Sequence, residues 1–450
     1  MLGEYRIKGR RATEIAADIE RAVGGGVLAP GAPLPALRDL AVELGVNPNT
    51  VAAAYRLLRD RGVIETAGRK GSRVRPRPVN APRDQAGIPV PPGARDLSSG
   101  NPDPALLPDL GPALAVAAAA AARHPVLYGH PMADPGLLEL AGASYRADGV
   151  PEGALAVCAG SLDAIGRVLA ARLRPGDLVA VEDPGWGSLL DLLPALGLRA
   201  APVGLDDQGP LPGRGAEALA AGARALIVTS RAQNPTGAVV TAARAAELRA
   251  VLAAHPDVLL IEDDHGHGMV HQPFRSLAAA PGGGRTVEHW ALVRSAAKAL
   301  SPDLRVSVVI GDRETVDRVL GRQRLDTGWV SLLLQRTVAE LWRTGAAPPA
   351  AVAGAYRARR EGLRTALAER GIAAYGESGL NVWVPVADEA GVTAALAQRG
   401  WVASPGARYR LQSAAGIRLT VSTLAPAEVT ALADDLAAVL GGRAGGSRLI

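Results

Sequence analysis

Beyond Asp96 the chain alternates helical stretches with six short apolar runs, at residues 155–158, 178–181, 225–228, 258–261, 290–294 and 306–310. Alternation of this kind argues for an α/β fold, with a mostly parallel sheet and helices on both of its faces. Such sheets gather their binding groups at the carboxyl ends of the strands. With 450 residues the chain exceeds one ordinary domain, and two or three are expected. A single cysteine, Cys158, excludes an intramolecular disulfide and any zinc site built on several thiolates, and it fits a reducing cytoplasm. There is no basic-then-apolar leader, and the alanine-rich run at 115–122 is too short and weakly hydrophobic to span a bilayer. A soluble cytoplasmic protein with no membrane partner is expected.

Of the 49 Lys and Arg residues only Lys8, Lys70 and Lys298 are lysines, so one lysine stands in the whole chain after residue 70. Arginine carries a charge but forms no imine, whereas a partly desolvated lysine can lose its proton and attack an aldehyde. Lys298 lies in Ser295-Ala-Ala-Lys-Ala-Leu-Ser-Pro-Asp-Leu-Arg305. Five other motifs stand beside the apolar runs. In Cys158-Ala159-Gly160-Ser161-Leu162 a strand end turns into a helix whose first amides, with the Ser161 hydroxyl, form a phosphate cup. Glu182-Asp183-Pro184-Gly185-Trp186 places an aromatic where it can stack on a planar ring or pack into the core. Asn234-Pro235-Thr236-Gly237 offers an amide to a phenolate oxygen. Glu262-Asp263-Asp264-His265 offers a carboxylate to a pyridine nitrogen; with His267 and His271 it can instead be read as a metal cluster, though no zinc spacing is matched. Arg418, inside the apolar stretch 416–421, calls for an anion such as an amino-acid carboxylate.

In this order the motifs resemble the fold type I aminotransferases, from about Asp96 to the C-terminal helix near Leu440, with a small C-terminal α+β subdomain. The resemblance implies pyridoxal 5'-phosphate as cofactor and Lys298 as the Schiff-base lysine. It implies Asp263 at the pyridine nitrogen and Asn234 at the ring oxygen. Gly160, Ser161, Leu162, Ser295 and Arg305 would line the phosphate end, Trp186 would stack on the ring, and Arg418 would take an effector carboxylate. Tyr128, in Val-Leu-Tyr-Gly-His-Pro, resembles the tyrosine that reaches the phosphate of a neighbouring subunit, which implies a homodimer. One position departs from the pattern: His265 stands where the family has a tyrosine that donates to the ring oxygen. Histidine can still donate, but it ionises nearer neutral pH.

The N-terminal region is different in charge. Residues 1–78 hold 14 Lys and Arg against 8 Asp and Glu, leaving the rest of the chain with 35 against 36. A small basic domain ahead of a neutral large one suggests nucleic-acid binding. Apolar residues at Ile15, Ala16, Ile19, Ala22 and Val23 mark a helix, stopped by Gly24-Gly25-Gly26. A second helix fits 36–44, closed by Gly45. Asn47 then caps a third, with Pro48 at its first position and Val51, Ala54, Tyr55 and Leu58 inward. Residues 62–66 and 72–75 read as two strands around a basic tip. This segment is similar to the winged helix-turn-helix of the GntR family of bacterial regulators. The similarity implies DNA contacts from Arg38, Asn47, Asn49, Thr50, Tyr55 and Arg56 on or near the recognition helix, and from Arg69, Lys70 and Arg73 on the wing. The family usually has Ser-Arg in place of Asn47-Pro48, so base preference does not transfer.

A proline-rich stretch, 75–94, separates the two regions and reads as a semi-rigid extended linker. The resulting plan is a DNA-binding domain over 1–75, a linker over 76–95 and an aminotransferase-like effector domain over 96–450. End to end, the chain resembles the MocR-type regulators of the GntR family. That implies a transcriptional regulator that binds a double-stranded DNA operator as a head-to-tail homodimer. It would sense pyridoxal phosphate, or an amine or amino-acid effector, through the Lys298 aldimine, with vitamin B6 or amine and amino-acid metabolism as candidate settings. A working aminotransferase with an accessory DNA-binding domain is the alternative, and a structural regulator whose large domain has lost the cofactor and serves only for dimerisation is a third reading.

Overall fold

The computed structural model describes residues 5–24, 27–29, 31–60, 63–66, 71–74, 83 and 87–444. The chain divides into two compact units, one formed largely by the first eighty residues and one by most of the remainder.

In the N-terminal unit three helices, α1 (Ala12–Gly24), α2 (Leu37–Leu44) and α3 (Pro48–Asp60), precede a two-stranded antiparallel sheet of β1 (Ile64–Thr66) and β2 (Ser72–Val74). Helix α2 ends because Gly45 takes a left-handed conformation (φ 65°) that returns its amide to Ala41 and Val42. Helix α3 starts at Pro48, with the Asn47 side chain accepting from the Asn49 amide at 2.8 Å. Ile15, Ile19, Leu40, Val51, Ala54 and Leu58 are all buried in one cluster. These are the helix-turn-helix and the two strands that the sequence predicts, the arrangement that the resemblance to the GntR family implies as a winged helix-turn-helix.

The larger unit is built on one eight-stranded sheet. After β3 (Arg95–Asp96), its strands in chain order are β4 (Ala154–Cys158), β5 (Leu178–Asp183), β6 (Arg199–Asp206), β7 (Gly209–Pro210), β8 (Ala223–Thr229), β9 (Leu259–Asp263), β10 (His289–Ser295) and β11 (Ser307–Gly311). They lie in the order β4-β11-β10-β9-β8-β5-β6-β7. All six apolar runs are strands; β6, with its half-buried alternation, carries no such run. The pairs β10·β9, β9·β8, β8·β5 and β5·β6 are parallel. Strand β11 runs the other way, antiparallel to both β10 and β4, because the loop 296–306 is too short to hold the crossover helix a parallel return needs. Val157, Ala180, Leu226, Leu260, Leu292 and Val308 belong to the main core.

Reversal of β11 has a local consequence. Ser307 pairs with Ser295 on one side and with Cys158 on the other, so the end of β10 and the β4–helix turn are brought level. A second, smaller sheet, β12 (Asn381–Pro385), β14 (Ser404–Pro405) and β15 (Gly416–Thr420), has β15 at its centre, while β13 (Trp401–Val402) pairs with β3. Helices Pro349–Ala368, Glu389–Gln398 and Pro426–Ala444 accompany these strands. No helix among the described residues is long and apolar enough to cross a membrane.

Behind the sheet ends lies a buried ionic knot. Asp264 is fully buried; it accepts from Arg231 Nε and Nη2 at 2.9 and 2.7 Å and from Arg294 Nε at 2.9 Å. Burial alone would raise the Asp264 pKa, but Arg231 and Arg294 bring it below the usual carboxylate range. Replacing Asp264 with asparagine leaves the buried Arg231 guanidinium without its counter-charge and leaves Arg294 with Asp148 alone. The expected loss is about 3–5 kcal/mol of stability at neutral pH. The gap should narrow as pH falls through the depressed pKa, where the wild-type carboxylate is itself neutralised. Urea unfolding of both proteins from neutral to acid pH checks this.

Candidate functional site

The carboxyl ends of β4, β5, β8, β9 and β10 open onto a cavity of about 230 Å³. Its wall contains Ser161, Leu162, Trp186, Asn234, Asp263, His265, Ser295, Lys298 and Arg305, nine of the residues singled out from the sequence. These come from five separate stretches of chain, and the sheet is what unites them. Asn101, Ala297 and Pro302 also line the cavity and were not anticipated. Asn101 follows Gly100 in a Ser-Ser-Gly-Asn-Pro stretch whose turn composition was the available signal.

At one end, helix α6 (Ser161–Arg172; α4, Gly111–Arg123, and α5, Pro135–Ala147, precede it) begins directly after Gly160. Gly160 has φ 96°, and a β-carbon there would sit 2.4 Å from the Arg305 guanidinium, so the position demands glycine on both counts. Arg305 Nη2 donates to the Ala159 carbonyl at 2.8 Å, and Ser161 Oγ is buried without a hydrogen-bond partner. A positive helix end, an unpaired hydroxyl and a guanidinium, with Ser295 beside them, make an anion cup.

At the other end stands Asp263, the last residue of β9 and almost wholly buried. Its Oδ2 lies 3.0 Å from His265 Nδ1, and its Oδ1 is buried with no hydrogen-bond partner among the described residues. An unpaired buried carboxylate oxygen is costly and marks the place where a cationic donor belongs. Behind it Glu182 accepts from the Thr229 amide and from Gln233 Nε2. Burial, helped by the nearby Asp263 charge, pushes its pKa up to about 7.

Lys298 Nζ donates to the Gly100 carbonyl at 2.7 Å. A side chamber joins it to Arg418, which is buried on β15, stacks on Tyr409 at 4.7 Å, donates to Asn234 Oδ1 at 3.1 Å and also binds the Ser98 carbonyl. With the Asn234 oxygen committed to Arg418, its amide nitrogen is left to face the cavity. A site with an anion cup at one end, an unpaired carboxylate oxygen at the other and a single lysine between them fits pyridoxal phosphate.

Two expectations are corrected here, and the alternative reading of a metal cluster meets a different arrangement. His265 does not turn a donor toward the ring-oxygen position, since its Nε2 lies 2.9 Å from the Ala232 carbonyl and its Nδ1 faces Asp263. Tyr55 is 1% exposed and donates to the Pro35 carbonyl, so it is a core residue and presents nothing to DNA; the helical period had already placed it inward. The metal reading of Glu262–His265 with His267 and His271 is broken up by strand alternation. Glu262 turns away to accept from Ser276, Leu277 and Ala278, while Asp264 faces arginines. Among the described residues one trio, Asp148, Asp264 and His267, brings ligand atoms within 4.8 Å, and Arg231 and Arg294 already hold Asp264.

Tyr128 is 92% exposed and outside its own chain's cavity, edge-on to Trp329. In the N-terminal unit Arg38, Asn47, Asn49 and Arg56 are exposed, and Thr50 and Arg73 are half-buried. Arg69 and Lys70 lie outside the described residues.

Comparison with known proteins agrees with this division. Residues 11–74 match the model of the bacterial regulatory proteins of the gntR family, and residues 94–436 match that of aminotransferase class I and II. The chain is 38% identical over 445 residues to the vitamin B6 salvage pathway transcriptional repressor PtsJ of Salmonella typhimurium, covering 96% of this chain and 98% of that one. It is 33% identical over 285 residues to the pyridoxine biosynthesis regulator PdxR of Corynebacterium glutamicum, covering 59% and 60% of the two chains. Among solved structures, the α-aminoadipate aminotransferase LysN of Thermus thermophilus, complexed with N-(5'-phosphopyridoxyl)-L-leucine, superposes with a TM-score of 0.70 at 21% identity, over 82% of this chain and 96% of that one.

The buried Glu182 gives a signed pH dependence. Its folded pKa of about 7 exceeds the ordinary 4.5, so the folded state holds an extra proton between these values, and the group disfavours folding increasingly as pH rises through that window. Glu182→Gln, which stays neutral, should therefore gain stability relative to wild type from pH 4.5 to 7 and hold that gain above it. Thermal melts of the two proteins across this range measure the difference.

Proposed function

Since the chain belongs to the gntR family of bacterial regulators and to the class I and II aminotransferase family, we propose that it is a transcriptional regulator whose large unit senses pyridoxal phosphate, or an amine or amino acid that reacts with it. The observation that carries this reading is the coincidence, in one cavity, of the lone Lys298 with two buried unpaired atoms, Asp263 Oδ1 and Ser161 Oγ, at its opposite ends. When bound, pyridoxal phosphate supplies an aldehyde that condenses with amines and a ring that accepts electrons. The residues do the rest. Ser161, Ser295, Arg305 and the start of α6 hold the phosphate. Asp263 keeps the ring nitrogen protonated, Asn234 donates to the ring oxygen, and Trp186 packs beside the ring. Arg418, on a rigid central strand, offers its planar fork to a carboxylate.

Residues 1–75 bind operator DNA through Arg38, Asn47, Asn49, Thr50 and Arg56, with Arg69, Lys70 and Arg73 on the wing. The exposure of Tyr128, outside its own chain's cavity, supports a homodimer in which it serves the partner's phosphate end. A setting in vitamin B6 metabolism is supported by the similarity to two regulators of that metabolism, and the cytoplasm, where the DNA is, is the compartment. An effector acts on DNA binding only through a difference in affinity for two arrangements of the protein.

Two measurements test the reading. Pyridoxal phosphate added to the wild type should give a visible absorption band that Lys298→Ala lacks, and the amine that perturbs the band identifies the effector class. No band in the wild type would sink the proposal. Arg38→Ala and Arg56→Ala should each weaken operator binding about tenfold or more, with the band unchanged and a reduced dependence on salt for whichever residue contacts phosphate. Multiple-turnover transamination by the wild type would favour the aminotransferase alternative.

A further inference from the structure

His265 sits between two acceptors. Its Nδ1 is 3.0 Å from Asp263 Oδ2 and its Nε2 is 2.9 Å from the Ala232 carbonyl oxygen. A carbonyl can only accept, so Nε2 carries a proton; an ionised Asp263 likewise requires one on Nδ1. The carbonyl is held in place at some cost. Ala232 has φ 57°, a left-handed conformation that a residue with a β-carbon rarely adopts. Its amide donates to Ser378 Oγ at 3.1 Å, and Gly379 packs so closely that a β-carbon there would lie 2.5 Å from that of Ala232. Strain of this kind persists where surrounding structure enforces it, and it gathers at functional sites. The charges that act on His265 are those of Asp263, which it contacts, and of Lys298 and Asp264 nearby. Asp263 Oδ1 remains unpaired in the cavity wall, and the Asn234 oxygen is spent on Arg418.

We propose that His265 is a positioning residue for Asp263: it suspends the carboxylate from one nitrogen and rests on the strained Ala232 carbonyl with the other, presenting Oδ1 to a protonated ring nitrogen of the ligand. It makes no hydrogen bond to the ligand's ring oxygen, which Asn234 serves alone. The inference rests on the pyridoxal phosphate reading, and it concerns which end of the ring this residue governs. A phenol at this position could approach the ring oxygen but has a single polar atom; an imidazole has two on opposite edges, and the fold uses both against protein acceptors. The ring nitrogen is thereby fixed in direction, while the oxygen side keeps one neutral donor.

Ligand analogues separate the two ends. Dissociation constants for wild type, His265→Phe and His265→Asn are measured by fluorescence titration with pyridoxal phosphate, with its analogue lacking the ring hydroxyl, and with its analogue carrying C–H in place of the ring nitrogen. His265→Phe should bind the first two about tenfold more weakly than wild type and the third equally well, since only the nitrogen-bearing rings use Asp263. His265→Asn, which keeps one donor toward Asp263, should recover much of the loss. A deficit that vanishes with the hydroxyl-free analogue would overturn the proposal, and so would an equal deficit with all three, which is the mark of general damage. If the wild type bound none of them, the cofactor reading itself would fail. The clamp would then be decided in ligand-free protein by a strongly low-field Nδ1 proton in NMR spectra that disappears in Asp263→Asn; its absence from the wild type refutes the clamp.

Discussion

One carboxylate oxygen kept dry and unpartnered, Asp263 Oδ1 at the end of β9, sets terms for much of the large unit. A buried charge in that state is tolerated only where its surroundings are fixed, because any looseness would admit water or a competing donor. Strand β9 is flanked by parallel neighbours that hold its end in register, Thr229 of β8 on one side and Val293 of β10 on the other. Glu182 stands behind, largely able to take a proton and so avoid a second negative charge nearby. Asp264, one residue on, is held ionised, its charge balanced by two arginines. Three buried acids, two of them adjacent in sequence, thus have three separate electrostatic fates, decided by what each meets where it emerges.

Much of this was legible in the sequence, for physical reasons that differ by residue. The apolar runs announced strands because a strand covered on both faces has no position for a polar side chain. Strand β6 escaped notice because it is only half-covered and alternates weakly. Lys298 was legible because no other lysine follows residue 70. Ser161 could be placed near a phosphate from the turn it begins, yet its proximity to Ser295 depends on the antiparallel register of β11, a tertiary fact with no local signature. His265 was recognisable as a departure, but its role was not, because a side chain's partners depend on a strained carbonyl at residue 232, thirty-three positions away.

The N-terminal unit illustrates the opposite balance. Its helix boundaries follow local rules, Gly45 ending one helix and Asn47 with Pro48 starting the next, so sequence and structure coincide closely. What periodicity also said of Tyr55, that it points inward, outweighed its polar hydroxyl, which is satisfied by Pro35. Hydroxyl-bearing aromatics on a DNA-binding helix are not thereby DNA contacts; the helical phase decides.

The two side chains best suited to grasp a small molecule, Lys298 and Arg418, both hold on to the stretch of backbone by which the chain enters the large unit, through the carbonyls of Gly100 and Ser98. A ligand that claims the amine and the guanidinium competes with those two carbonyls. Occupancy of the cavity and the tethering of residues 98–100 are therefore linked equilibria, and linkage is reciprocal. Any restraint on residues 98–100 therefore also alters how tightly the cavity holds its guest.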